Sequence, residues 1–119
     1  MSSAFIFKKQ LLNLKQPQKH NLTYADIRQG VLSLDVNRMS KYNMWYSLVQ
    51  CLVNLSTIDE EAESIDLLND FYRTSRTFKY SWIEENRITF LTSTKEPKHQ
   101  WDIGFLLSQL YKDNIVFID

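Results

Sequence analysis

The strongest constraint on the fold is the apolar pattern of residues 40–55, SKYNMWYSLVQCLVNL. Apolar side chains recur there at intervals of three and four residues, which is the spacing of one face of an α-helix. An amphipathic helix of this kind gains most of its stability by burying that face against other elements. The sequence therefore predicts a central buried helix whose inward face is formed by Trp45, Leu48, Val49, Leu52 and Leu55.

Residues that favour tight turns are scarce, since the 119-residue chain contains only two Gly and two Pro. Because strand corners depend on such residues, a many-stranded β fold is disfavoured. The length is typical of one domain, and 44% apolar residues are enough for one core. We expect a single globular domain over residues 1–119 of the α+β class. It should be mainly helical, with four to five helices and a small antiparallel β-hairpin or sheet in the C-terminal half.

Other segments carry helical signals as well. Thr23 followed by Asp26 predicts a capped helix from Tyr24 to about Leu34, and residues 101–114 carry an apolar helical face. Residues 4–14 fit either a helix or a strand. After residue 57 the chain predicts a further helix, with Thr57 as its N-cap and Glu60 completing a capping box. The expected buried face of this last helix comprises Ile58, Ala62, Ile65, Leu68 and Tyr72, with Leu67 and Phe71 beside them.

The period of the pattern changes in RTFKYSWIEENRITFLTS, residues 76–93. Aromatic and polar residues alternate in FKYSW, as the two faces of a strand require. With a turn at residues 85–86, Glu84 faces Arg87 across the two strands. We therefore predict a β-hairpin here. Because an isolated hairpin is marginally stable, we expect residues 115–118 to pair as a third strand or to pack under a helix.

Catalytic motifs are missing from the sequence. It contains no glycine-rich phosphate loop and no GxSxG or HExxH pattern, and both histidines, His20 and His99, lie in polar loops. Cys51 is the only cysteine, which excludes an intramolecular disulfide, and its apolar neighbours indicate a core residue. We expect no enzymatic activity, no cofactor and no metal site.

The net charge limits the classes of partner. Lys and Arg balance Asp and Glu at 14 each, so the chain lacks the general attraction to nucleic acid that a basic protein has. No run approaches the roughly 18 to 20 apolar residues of a membrane-spanning helix, and MSSAFIFKKQ does not match a signal peptide. These features predict a cytoplasmic protein with no membrane association.

Negative charge is concentrated in IDEEAESIDLLND, residues 58–70, which holds six carboxylates and no Lys or Arg. The helix dipole accounts for the acids of the first turn, residues 59–61. The later acids lie beyond it, where like charges at helical spacing cost roughly 0.2–0.5 kcal/mol per pair. A solvated polar face and a partner-binding surface are the two alternatives. The second alternative predicts partner contacts from Asp59, Glu60, Glu63, Asp66, Asp70 and Tyr72.

With DEEAESIDLLND and no catalytic motif, the chain resembles bacterial toxin-immunity proteins, including those of contact-dependent growth inhibition systems. Those proteins are small, cytosolic and single-domain, and they often carry acidic patches against a toxic nuclease. The resemblance implies a protein-binding inhibitor that neutralises one cognate toxin with a basic surface, by blocking its active site or the access of its substrate. A phage-encoded inhibitor of a host enzyme fits the same features.

A different class of function is an RNA or single-stranded DNA binding module. Such modules interleave cations with aromatic rings that stack on bases. The zero net charge weighs against this class, as does the core packing expected of alternating aromatic side chains. The cations concerned are Lys8, Lys9, Lys15 and Lys19 near the N-terminus and Arg73, Arg76, Lys79 and Arg87 around the predicted hairpin.

Overall fold

The computed structural model describes residues 22–98 and 100–115, which fold as helices joined by turns and loops. They divide into two compact units, one made of residues 22–34 and 104–115 and the other of residues 35–103. Each unit is described by itself below. The interpretations of residues 4–14 and 116–118 concern segments outside the described residues, and the single domain over 1–119 stays a prediction.

The first unit contains helix α1 (Tyr24–Ser33) and all but the first residue of helix α6 (Ile103–Lys112). The predicted capping box of α1 is present: the Asp26 N–H donates to Thr23 Oγ1 at 3.2 Å, and the Thr23 N–H donates to Asp26 Oδ2 at 3.0 Å. Helix α6 is followed by a turn in which Asn114 takes a positive φ of 56°. There the Ile115 N–H donates to the Leu110 carbonyl at 3.1 Å, a Schellman-type C-terminus.

The second unit contains the short helix α2 (Val36–Met39), helix α3 (Tyr42–Leu55), a 3₁₀ turn (Ile58–Glu60), helix α4 (Glu61–Tyr72) and helix α5 (Ser81–Ser93). Each of the three long helices α3, α4 and α5 contacts the other two. Helix α3 is the predicted central helix, and Leu48, Val49 and Leu52 are fully buried. Cys51 is buried beside them, as predicted, and its thiol donates to the Asp102 carbonyl at 3.2 Å.

Helix α4 buries part of the face that the sequence predicted, because Leu68 and Tyr72 are buried and Ile65 is half-buried. Its buried apolar residues are Leu67, Leu68, Phe71 and Tyr72, whereas Ala62 is exposed and Ile58 is 81% exposed. The 3₁₀ turn has three residues per turn instead of 3.6, so Ile58 is out of phase with α4. Within α4 the buried side is centred on Leu67 and Phe71, and Ala62 lies on the opposite side. The Thr57–Glu60 capping box forms at the start of this turn, where the Glu60 carboxylate accepts the Thr57 N–H at 2.9 Å.

The predicted α+β class and the β-hairpin of residues 76–93 are wrong. Helix α5 covers Ser81–Ser93, and the described part of the chain contains no strand. Glu84 and Arg87 do form an ion pair, but they do so as neighbours three residues apart on the helix surface. The aromatic alternation in FKYSW ends at the helix start, and Tyr80 is 85% exposed in the turn that precedes it.

The buried face of α5 explains why its sequence does not look helical. That face is formed by Asn86, Phe90 and Ser93, which have helical spacing but include two polar residues. Ile88, an apolar residue, points to solvent instead. The spacing of the apolar residues alone therefore does not predict this helix.

Asn86 links the three long helices through its side chain. Its Oδ1 accepts the indole N–H of Trp45 in α3 at 2.7 Å, and its Nδ2 donates to Asn69 Oδ1 in α4 at 3.0 Å. Asn86 is only 1% exposed, so both bonds replace water that the amide would otherwise bind. A second buried bond, from Gln50 Nε2 in α3 to Ser93 Oγ in α5, extends the polar contact between these helices.

Replacing Asn86 by Ala should destabilise the protein strongly. The change removes two hydrogen bonds and leaves the Trp45 N–H and the Asn69 amide oxygen without this partner, for an expected loss of about 2–4 kcal/mol in the free energy of unfolding. Urea denaturation measures this loss. As a control, Thr92→Ala on the exposed side of the same helix should change stability by no more than about 0.5 kcal/mol. Equal stabilities of the two variants would contradict the structural role of Asn86.

Proline at position 88 tests the helical state of residues 81–93 directly. Because Ile88 lies in the helix interior, Ile88→Pro removes a backbone N–H and should cost about 3 kcal/mol. Ile88→Ala is the matched control, since the side chain is exposed and Ala favours helices. Far-UV circular dichroism and urea unfolding should separate the two variants, and similar behaviour of both would argue against the helix.

Candidate functional site

The acidic residues of helix α4 form an exposed surface because the opposite side of the helix is fixed in the core. Leu67, Leu68 and Phe71 are buried, and their burial turns the acidic stripe toward solvent. Four exposed carboxylates lie on this side, and together we call them the acidic surface: Asp59, Glu63, Asp66 and Asp70.

Three members of the acidic surface form no ion pair with the described residues: Asp59, Glu63 and Asp66. Asp59 lies in the 3₁₀ turn, where the N-terminal dipole stabilises an anion. Asp66 lies beyond the first turn of α4, and it is three residues from Glu63 on the same side. The negative charges of Glu63 and Asp66 are therefore not neutralised by an ion pair within the described part of the chain.

Two other predicted contact residues have local structural roles. Glu60 is half-buried, and its carboxylate caps the 3₁₀ turn. Tyr72 is 1% exposed, and its hydroxyl donates to the Met39 carbonyl at 2.8 Å. Burial raises the pKa of Tyr72, so the phenol keeps the proton that it donates. Neither residue belongs to the acidic surface.

A pocket of about 430 Å³ lies within the second unit. Helix α3 contributes Tyr42 and Trp45, the C-terminal end of α4 contributes Tyr72, and α5 contributes Trp82 and Glu85. Tyr42 is 74% exposed and Glu85 is exposed, so the pocket opens to solvent. The lining is completed by two hydroxyl side chains, Ser40 and Thr89.

Sequence reasoning missed this pocket, although part of its signal is visible. Trp82, Glu85 and Thr89 are separated by three and four residues, which is one side of a helix. The prediction of a strand at Trp82 and a turn at Glu85 hid this spacing. The contributions of the other two helices depend on their packing and have no signature in the linear sequence.

The walls of the pocket are held in place by hydrogen bonds and ring contacts. The Trp45 indole is fixed by its bond to Asn86. The rings of Tyr72 and Trp82 meet edge to face, with centroids 6.1 Å apart and an interplanar angle of 82°. The rings of Trp82 and Phe78 also meet edge to face, with centroids 6.0 Å apart. The pocket therefore has a defined shape set by the core of the second unit.

The residues proposed for nucleic-acid binding do not form the expected platform. The four N-terminal lysines lie outside the described residues, and Arg73, Arg76 and Lys79 are exposed. Without a hairpin, the aromatic side chains of residues 78–82 do not line one face of a sheet. The structural basis of that alternative is missing from the described ranges.

No group of three or more His, Cys, Asp or Glu side chains that could hold a metal ion occurs among residues 22–98 and 100–115. Both histidines, His20 and His99, lie outside these ranges. Buried Cys51 has its thiol bonded to a backbone carbonyl, which makes it a structural residue in this arrangement.

Within the described ranges, no helix has both the length and the apolar character needed to span a membrane. Two features of the described residues are candidate binding sites: the acidic surface, for a protein partner, and the aromatic pocket, for a small group. No family model, no curated protein and no solved structure matches the chain. The functional proposals below therefore rest on the residues of this chain.

Proposed function

We propose that the chain is a non-enzymatic inhibitor that binds a basic site on another protein through its acidic surface. The observation that carries this proposal is the exposure of Glu63 and Asp66, which lie next to each other on α4 without an ion pair to any described residue. A cationic partner surface would relieve their mutual repulsion and neutralise both charges.

The physical advantage of such a surface lies mainly in the rate and selectivity of binding. Fields from clustered charges steer an oppositely charged protein toward the correct face and raise the association rate. The helix that carries the charges is anchored by its buried side, so it needs little rearrangement when the partner arrives. Like-charged proteins are repelled by the same field, which restricts the choice of partner.

The specific form that we propose is an immunity protein that acts in the cytoplasm against one cognate toxin. A nuclease is a suitable target, because its substrate-binding surface must be basic to hold a phosphate backbone. The acidic surface would cover that basic surface and block the substrate. A phage-encoded inhibitor of a host enzyme would use the same contact, and the genes that neighbour this chain distinguish the two: a toxin domain favours immunity, and phage structural genes favour the phage form.

Neutralising the acidic surface should slow binding to the cognate partner. The double variant Glu63→Gln/Asp66→Asn keeps the size of both side chains and removes two charges, so we expect the association rate constant at low salt to fall roughly tenfold. Its dependence on ionic strength should become weaker at the same time. Stopped-flow or surface-based kinetics with the basic protein encoded beside this chain measure both quantities.

The control is Glu84→Gln/Glu96→Gln, which changes the net charge equally at exposed positions outside the acidic surface. This variant should bind at nearly the native rate. In cells, the native chain and the control should protect against the toxin domain, and the acidic-surface variant should protect less. Equal rates and salt dependences for the two double variants would refute the proposal.

A further inference from the structure

The aromatic pocket has a lining that is unusual for a simple packing defect. Four aromatic side chains from three helical segments converge with one carboxylate: Tyr42, Trp45, Tyr72, Trp82 and Glu85. Its volume of about 430 Å³ lies in the range of small-ligand sites. None of the described residues that line it is basic.

The rings enclose the pocket from different directions. Tyr42 and Trp45 are tilted by 54° with centroids 5.6 Å apart, and Tyr72 and Trp82 are nearly perpendicular. The face of an aromatic ring carries negative potential and attracts a cation within about 6 Å of the centroid.

Three hydrogen-bond donors among the described lining residues already have partners within the protein. The Trp45 N–H bonds to Asn86, the Tyr72 hydroxyl donates to the Met39 carbonyl, and the Ser40 hydroxyl lies 2.7 Å from the Val36 carbonyl. Glu85 is the one charged side chain among the described lining residues, and its carboxylate oxygens are hydrogen-bond acceptors. The lining therefore suits a ligand that carries positive charge and donates a hydrogen bond.

We propose that this pocket binds an organic cation, an alkylammonium or guanidinium group, between its aromatic walls and Glu85. The rings supply apolar contact and cation–π attraction, and the carboxylate supplies the opposite charge. The cation can come from a free small molecule or from a side chain of a protein. This inference does not depend on the acidic surface, because no residue of that surface lines the pocket.

Nuclear magnetic resonance of the tryptophan side chains tests the proposal on the full chain without a protein partner. Trp45 and Trp82 line the pocket, whereas Trp101 does not and serves as an internal reference. Two probes represent the two sources of cation: choline and N-acetyl-arginine amide. Each has a neutral counterpart of similar shape, 3,3-dimethyl-1-butanol for choline and N-acetyl-citrulline amide for the arginine derivative.

At least one cationic probe should shift the indole signals of Trp45 and Trp82 in a saturable manner and leave that of Trp101 unchanged. Its neutral counterpart should bind about fivefold more weakly or worse, since the cation–π and charge attractions are lost. Saturation by choline alone would indicate a small-molecule ligand, and saturation by the arginine derivative would indicate a protein side chain. Equal binding of the neutral counterparts, or no shift with either cation, would overturn the proposal.

Two exposed lining residues can be changed with little risk to the fold: Tyr42 and Glu85. Glu85→Gln and Tyr42→Ala should each weaken binding of the cation by about fivefold. The matched controls are Glu84→Gln, which removes a neighbouring charge, and Tyr80→Ala, which removes an equally exposed tyrosine outside the pocket. These controls should bind like the native chain, and a loss of the same size in the controls would also overturn the proposal.

Discussion

The buried amide of Asn86 is the contact on which the rest of the second unit depends. It accepts a hydrogen bond from α3 and donates one to α4, and it belongs to α5 itself. A buried amide is costly when either partner is missing, so few alternative packings of the three helices are compatible with it. Both surface features follow from this arrangement, because it orients the acidic side of α4 outward and fixes Trp45 as a wall of the pocket.

Polar residues in the core also explain which parts of the fold the sequence could predict. The bounds of α1, α3 and α6 were predicted closely, because capping residues or a regular apolar stripe mark them locally. Helix α5 was not predicted, because Asn86 and Ser93 occupy its buried side and their hydrogen-bond partners lie in other helices. A buried polar residue resembles a surface residue in the sequence until the position of its partner is known.

The same reasoning applies to the candidate sites. The exposed carboxylates Glu63 and Asp66 could be identified from sequence, because carboxylates at helical spacing with no basic residue among them are costly to bury. Tyr72 was expected both on the buried face of α4 and among the partner contacts. Its burial, at 1% exposure, and its hydrogen bond to the Met39 carbonyl agree with the first expectation. The pocket combines residues that are far apart in sequence, such as Tyr42 and Trp82, and only the packing of the helices brings them together.

The central claim is that the acidic surface of α4 contacts a basic partner, and carboxylate labelling tests it most directly. Carbodiimide coupling of an amine, read out by mass spectrometry, reports the accessibility of each Asp and Glu side chain with and without the cognate basic protein. The account predicts that labelling of Glu63 and Asp66 falls sharply in the complex while that of Glu84 and Glu96 is retained. A complex in which Glu63 and Asp66 stay as reactive as in the free chain would contradict it.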